Sequence, residues 1–272
     1  MSSWIEEVGF TCLRIDRVDD VLRVVIDRPG DDANARLNAV DGVLHHELAE
    51  LFALLATERD ARAVLLGGSG GVFSAGGDLD WFPELAEPGR LEALRLEARQ
   101  LVWDLLDVHL PIVCAVGGHA MGLGASIALL SDVVVMARGA RLGDPHVRVG
   151  IVAGDGGTVA WPLALGPMQA KRWLLTGDAM SAEDAERAGL VTEVVDDDEV
   201  DDRAMAWAQR LAAGAPLAVQ YTKQAINQLV KDTALRSFDL ATALELITFG
   251  SEDHREALAA LAEKREPRFQ GR

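Results

Sequence analysis

Phe73-Ser74-Ala75-Gly76-Gly77-Asp78-Leu79 is the stretch on which the reading of this chain turns. It follows the apolar run 62–66 (RAVLL) and the loop Gly67-Gly68-Ser69-Gly70-Gly71. Two more glycine turns follow apolar runs. These are Gly117-Gly118-His119-Ala120-Met121-Gly122-Leu123-Gly124 and Gly154-Asp155-Gly156-Gly157. Glycine lets a backbone approach a ligand closely and take positive φ. Free N–H groups in such turns bind a negative oxygen, helped by a following helix dipole. Two of them facing each other would form an oxyanion hole, in which one donor is worth a factor of roughly 100–1000 in rate. Residues 67–71 lack the Gly-Lys-Ser/Thr of a nucleotide-binding P-loop, and Gly122-x-Gly124 lacks the third glycine of a dinucleotide fingerprint.

Outward from these loops, strand-like and helical runs alternate. Residues 21–27 (VLRVVID), 111–116 (PIVCAV) and 132–137 (DVVVMA) read as buried strands. Asp41 is placed to cap a helix that carries Leu44, Leu48, Leu51, Phe52 and Leu55 at helical spacing. Residues 91–108 and 122–130 also read as helices. The acidic turn Asp196-Asp197-Asp198-Glu199 marks a change of character. Beyond it the chain reads as helical, with a hinge at 211–216 (LAAGAP). An α/β layered core over 1–200 and a helical C-terminal region over 201–272 are therefore expected.

Composition narrows the function. The 272 residues are 49% apolar, enough for a full core. There are 26 basic against 43 acidic residues and a net charge of -17, which argues against nucleic acid and anionic membrane. The two cysteines, Cys12 and Cys114, lie in apolar runs and read as buried thiols rather than a disulfide framework. No His/Cys/Asp spacing suggests a metal. Residues 1–10 lack a signal-peptide core and no apolar run matches a membrane helix, so a cytoplasmic protein is expected.

Read together, the motifs resemble the crotonase (enoyl-CoA hydratase/isomerase) superfamily. They are Arg28-Pro29 with Leu37-Asn38-Ala39-Val40, the Phe73–Leu79 signature, and the glycine-rich helix start from Gly118 to Asp132. They continue with Gly143-Asp144-Pro145 through Gly157-Thr158, Leu175-Thr176-Gly177-Asp178, and 182–191 (AEDAERAGLV). The resemblance implies a spiral of repeated ββα units with a helical C-terminal trimerisation or lid region. It implies homotrimers or hexamers, an acyl-CoA thioester substrate, and no cofactor beyond that coenzyme A. It further implies that the N–H groups of Gly77 and Leu123 hold the thioester oxygen. Asn38 and Ala39 would lie near the adenine end of coenzyme A. Ala75, Asp78, Ser126, Trp81 and His45 would contribute to substrate binding, with Phe82 as a further acyl-pocket candidate. Arg36 either meets a phosphate or is an ordinary surface arginine.

Two positions depart from the family pattern. Where its hydratases carry two glutamates that handle water, this chain has Ser126 and His146. A syn hydration needs one group to activate water and one to supply a proton. His146 with Asp155, nine residues on, supplies a candidate base and its orienting carboxylate. Asp155 alternatively caps the following helix. Some β-diketone hydrolases of the superfamily pair a histidine and an aspartate in these loops and cleave carbon–carbon bonds. The alternatives are thus an enoyl-CoA hydratase/isomerase-type lyase or isomerase, a retro-Claisen hydrolase of a β-diketone or β-ketoacyl-CoA, and a non-catalytic acyl-CoA-binding member. A serine hydrolase built on Ser126, His146 and Asp155 is a fourth. His46 is expected in solvent, His119 in packing, and Glu245 on a solvated helix face.

Overall fold

The computed structural model describes residues 3–87 and 89–272, so Met1 of the expected core boundary lies outside them. The strands are β1 (Leu13–Val18), β2 (Val21–Ile26), β3 (Ala63–Gly68), β4 (Ile112–Val116), β5 (Ala120–Met121), β6 (Val133–Ala137), β7 (Arg141–Gly143), β8 (Ala179–Ser181) and β9 (Glu193–Val195). The helices are α1 (Ser3–Glu7), α2 (Ala33–Arg36), α3 (Gly42–Thr57), α4 (Arg90–Asp107), α5 (Leu123–Leu130), α6 (Gly157–Thr176), α7 (Ala182–Ala188), α8 (Val200–Ala212), α9 (Pro216–Phe249) and α10 (Glu252–Ala262).

Six strands form the main sheet in the order β1-β2-β3-β4-β6-β9. Only the β1–β2 hairpin is antiparallel within it; from β2 onward the pairs are parallel, with Val64 opposite Ile112 and Cys114 opposite Val134. β4 and β6 are buried along their whole length, as parallel strands covered on both faces must be. A smaller sheet, β5-β7-β8, stands beside the first. The chain thus lays a strand in the large sheet, a strand in the small one, then a helix: β4-β5-α5, then β6-β7-α6. This is the expected mixed α/β fold of repeated ββα units.

Local chemistry sets the helix starts near the site. The Asp41 side chain accepts from the Leu44 N–H at 2.9 Å, a cap worth about 1 kcal/mol. Ser181 and Ser251 cap α7 and α10 in the same way. Val200, Ala204, Ala208 and Ala212 form the buried stripe of α8, which packs on β3, β4 and β6. The hinge at 211–216 separates α8 from the 34-residue α9. Both thiols are buried, and burial raises them, Cys114 to about 12.

Arg28 joins the start of the chain to the signature loop. Its Nη1 donates to Ala39 O at 2.9 Å and to Asp78 Oδ2 at 2.7 Å, and its Nη2 lies 3.0 Å from Asp41 Oδ2. Asn34 donates to the other Asp78 oxygen at 2.8 Å. Asn38 is fully buried in a left-handed conformation (φ 48). It donates to Val72 O at 3.1 Å and accepts from the Arg28 N–H. These residues fix the shape of the loop that carries Gly77.

Candidate active site

A cavity of about 60 Å³ is lined by Val40, His45, Gly77, Trp81, Phe82, Leu94, Ala98, Leu123, His146, Ile151, Asp155, Glu245 and Phe249. Six of the eleven sequence candidates meet there from different parts of the chain: Gly77, Leu123, His146, Asp155, His45 and Trp81. The other five, Asn38, Ala39, Ala75, Asp78 and Ser126, are not among the lining residues. Asn38 and Asp78 commit their side chains to the loop contacts above.

Gly77 and Leu123 present backbone donors. The parallel bridge between Val40 and Gly77 is made by Gly76 O and the Asp78 N–H, which leaves the Gly77 N–H outside the ladder. Leu123 opens α5, where first-turn N–H groups have no partner within the helix. Gly122 before it has φ 52, a conformation that favours glycine, and a Cβ there would lie 3.2 Å from the His146 ring.

His146 sits in a 3-10 turn (His146–Val149) just after β7. Its Nδ1 is 2.5 Å from Asp144 Oδ1, and Asp144 is fully buried. Its Nε2 is 3.3 Å from Asp155 Oδ2 and 3.9 Å from Glu245 Oε1. The sequence expectation cast Asp155 as the orienter of the ring. Asp144 holds Nδ1 instead, while Asp155 approaches the other nitrogen. Nor does Asp155 cap α6, whose cap is Gly156 with no side-chain bond. Gly157 makes room for Asp144, since a Cβ there would come within 2.1 Å of Asp144 Oδ2.

These charges shape the site. Burial pulls the His146 ring down, but the charges of Asp144 and Asp155 and the bonds to them outweigh it and hold the ring well above its ordinary range. Burial pushes Asp155 up, yet the His146 charge and hydrogen bonds from His146 and Ser126 keep it low. Glu245 is the reverse case. Burial pushes it up to about 8; the His146 charge opposes the rise and the Asp155 and Asp144 charges add to it. The expectation that Glu245 is solvated is therefore overturned: it is 9% exposed and faces His146. Its place on the inner face of α9 is a tertiary fact that the helix's own pattern does not carry.

Other expectations resolve one by one. Ser126 is buried, and its Oγ donates to Asp155 Oδ1 at 3.3 Å rather than to His146, so a Ser–His–Asp relay is not assembled. His119 is exposed, not packed; His46 and Arg36 are exposed. Asp144, His146 and Asp155 place ligand-type atoms within 4.8 Å of one another. The 2.5 Å between Nδ1 and Asp144 Oδ1 is a hydrogen-bond distance, shorter than two ligands sharing a cation at about 2.0–2.2 Å each comfortably allow.

Comparison with known proteins agrees with this architecture. The family model described as Enoyl-CoA hydratase/isomerase matches residues 19–272. The 2,3-dehydroadipyl-CoA hydratase of Escherichia coli (strain K12) is 34% identical over 263 residues, covering 96% of this chain and 99% of that relative. The crystal structure of an enoyl-CoA hydratase/isomerase from Mycobacterium paratuberculosis superposes with a TM-score of 0.86 at 35% identity, over 92% of this chain and 98% of that one. A β-diketone hydrolase from the cyanobacterium Anabaena sp. PCC 7120, bound to (S)-3-oxocyclohexyl acetic acid, gives a TM-score of 0.82 at 27% identity, over 92% of this chain and 98% of that one. By family model, relatives and fold, this chain belongs to the enoyl-CoA hydratase/isomerase (crotonase) family of enzymes.

Proposed function

We propose that this enzyme acts on an acyl-CoA thioester through an enolate, with His146 and Asp155 as the proton-transfer pair in place of the glutamates of family hydratases. The observation that carries the reading is convergence. The Gly77 and Leu123 donors line the same small cavity as His146, Asp155 and Glu245. Two preorganised N–H groups stabilise an oxyanion where it develops, in a site shielded from water. The acyl chain runs between Trp81, Phe82 and Phe249, and coenzyme A follows the backbone near Asn38 and Ala39. Among the described residues no lysine or arginine lines the cavity. An uncharged acyl group therefore suits it better than one ending in a carboxylate.

A second reading is retro-Claisen hydrolysis of a β-diketone or β-ketoacyl-CoA. It is favoured by the His146–Asp155 contact and by the likeness to the Anabaena hydrolase. In that reaction water attacks a ketone and the carbon–carbon bond breaks to give the enolate.

The same proposal covers assembly and place. Exposed Leu217, Tyr221, Ile226 and Leu229 on α9, with Met168 on α6, support a homotrimer or hexamer. Residues 201–272 act as its lid, since Glu245 and Phe249 reach the cavity from α9. Among the described residues no helix is long and apolar enough to cross a membrane, which is consistent with a cytoplasmic enzyme. Coenzyme A enters only with the substrate.

The test follows the conjugated absorbance of crotonyl-CoA with wild type and His146→Ala, alongside cleavage of a cyclic 1,3-diketone. Loss of crotonyl-CoA absorbance that falls about 10²-fold or more in the variant supports hydration. Diketone cleavage alone supports the second reading. Acyl-CoA binding without turnover of either substrate would assign the chain to the non-catalytic class.

A further inference from the structure

His45 stands on α3 and its ring borders the same cavity as His146, at 4% exposure. Its Nδ1 lies 2.5 Å from Glu97 Oε1, on α4. The other Glu97 oxygen lies 2.8 Å from Nδ1 of His46, on the outer face of α3. Burial works against the Glu97 charge, but the hydrogen bonds from both histidines outweigh it and keep this carboxyl below its usual range. An ionised carboxylate only accepts hydrogen bonds, so both Nδ1 atoms carry the proton. With Nδ1 turned to Glu97, the ring atom that His45 offers to the cavity is Nε2. Among the described residues no hydrogen bond is made to His45 Nε2.

The two cavity histidines are therefore built for opposite tasks. His146 has carboxylates on both nitrogens, a setting that keeps a proton on each. It has a proton to give and no lone pair with which to take one. His45 has a carboxylate on one nitrogen only. The charged groups around it are Glu97 from α4, His46 from its own helix and Asp155 across the cavity. One ring is thus held at both nitrogens and the other at one, so within the cavity their free ring atoms differ.

We propose that His45, positioned by Glu97, accepts the proton in this site and that the His146–Asp155 pair donates one through His146. The proposal rests on the reading of the cavity as a place where an acyl compound reacts with water. In hydration, His45 Nε2 takes a proton from water while the water oxygen bonds to the β-carbon. The C=C electron pair moves through the α-carbon into the thioester carbonyl, whose oxygen is held by Gly77 and Leu123. The His146 Nε2 proton then passes to the α-carbon. Water has added across the double bond. His45 holds one proton more and His146 one fewer, and exchange with solvent on product release resets both. In diketone cleavage the same water attacks the ketone carbon, the carbon–carbon bond breaks, and His146 protonates the leaving enolate carbon.

The test has an arm that does not depend on turnover. Nitrogen-15 NMR of the imidazoles in the intact protein, assigned with His45→Gln and His146→Gln, reads each ring nitrogen directly. At neutral pH His45 is expected to show a protonated Nδ1 and a bare Nε2, and His146 two protonated nitrogens. A doubly protonated His45, or a bare nitrogen on His146, overturns the proposal. The kinetic arm uses whichever of crotonyl-CoA or the 1,3-diketone is consumed. His45→Gln is expected to lower kcat by about 10²–10⁴ with KM changed far less. Glu97→Gln is expected to lower kcat and kcat/KM more modestly, with KM little changed. Glu97→Asp is expected to restore part of both. A His45→Gln variant with wild-type kcat sinks the role of His45. If neither substrate is consumed, the reading of the reaction fails, while the nitrogen protonation pattern still decides the assignment of the two rings.

Discussion

At the scale of single residues, Glu245 shows how burial changes a side chain's chemistry. In the sequence it is one acidic residue on a long helix. In the fold it faces His146, and its carboxyl is pushed up to about 8. A folded-state value above the unfolded one means that the folded protein holds this proton more tightly. The contribution to stability is then complete at low pH and is lost as pH rises from about 4.5 toward about 8. Glu245→Gln keeps an oxygen for the Gly154 N–H and removes the titration. Its melting temperature is expected to match wild type below about pH 4.5 and to exceed it by several degrees near the upper end of that window. Differential scanning calorimetry across the range checks this, and equal pH slopes would contradict it. His146 and Asp155 were legible because both lie in a loop whose family positions carry chemistry. Asp144 was not, although it is quoted in the same motif. Only the ring orientation shows that it, rather than Asp155, meets Nδ1. Glu97 lies 52 residues from His45, and nothing along α4 marks it as a partner.

At the scale of elements, the long apolar strands and amphipathic helices were read within a residue or two. Residues 111–116 became β4 and residues 91–108 became α4. β5, β7 and β8 span two or three residues each, too short to display any period, and they escaped notice. Yet β5 and β7 pair beside the second oxyanion-type donor: the Gly122 N–H donates to Gly143 O at 3.0 Å, one residue before Leu123. The signature loop makes a sharper demand. A Cβ on Gly77 would lie 2.6 Å from Phe82 Cζ. That ring cannot retreat freely, since it packs edge-on against Phe249 with centroids 5.4 Å apart and lies 5.8 Å from His254. Gly77→Ala must therefore shift the loop and its N–H. We expect kcat to fall by roughly 100–1000-fold, with the protein still folded by circular dichroism. A variant with near-normal kcat would show that this donor is not used.

At the scale of the whole molecule, the assembly lies beyond what one chain displays. Leu217, Tyr221, Ile226 and Leu229 are each more than half exposed on one helix. A water-facing helix rarely keeps so many large apolar groups without a partner surface. Light scattering after size exclusion is expected to give three or six times the 29.2 kDa of one chain. Ile226→Glu with Leu229→Glu is expected to shift the population toward monomer, and a monomeric wild type would refute the assembly. The same view of the molecule bears on its two cysteines. Both are sealed in the core, and the Cys114 thiol ionises only near about 12. Neither offers the thiolate that maleimides and iodoacetamides attack. The native chain is thus silent toward such reagents, and a cysteine introduced at the exposed Arg187 on α7 would be the single handle for a dye or spin label.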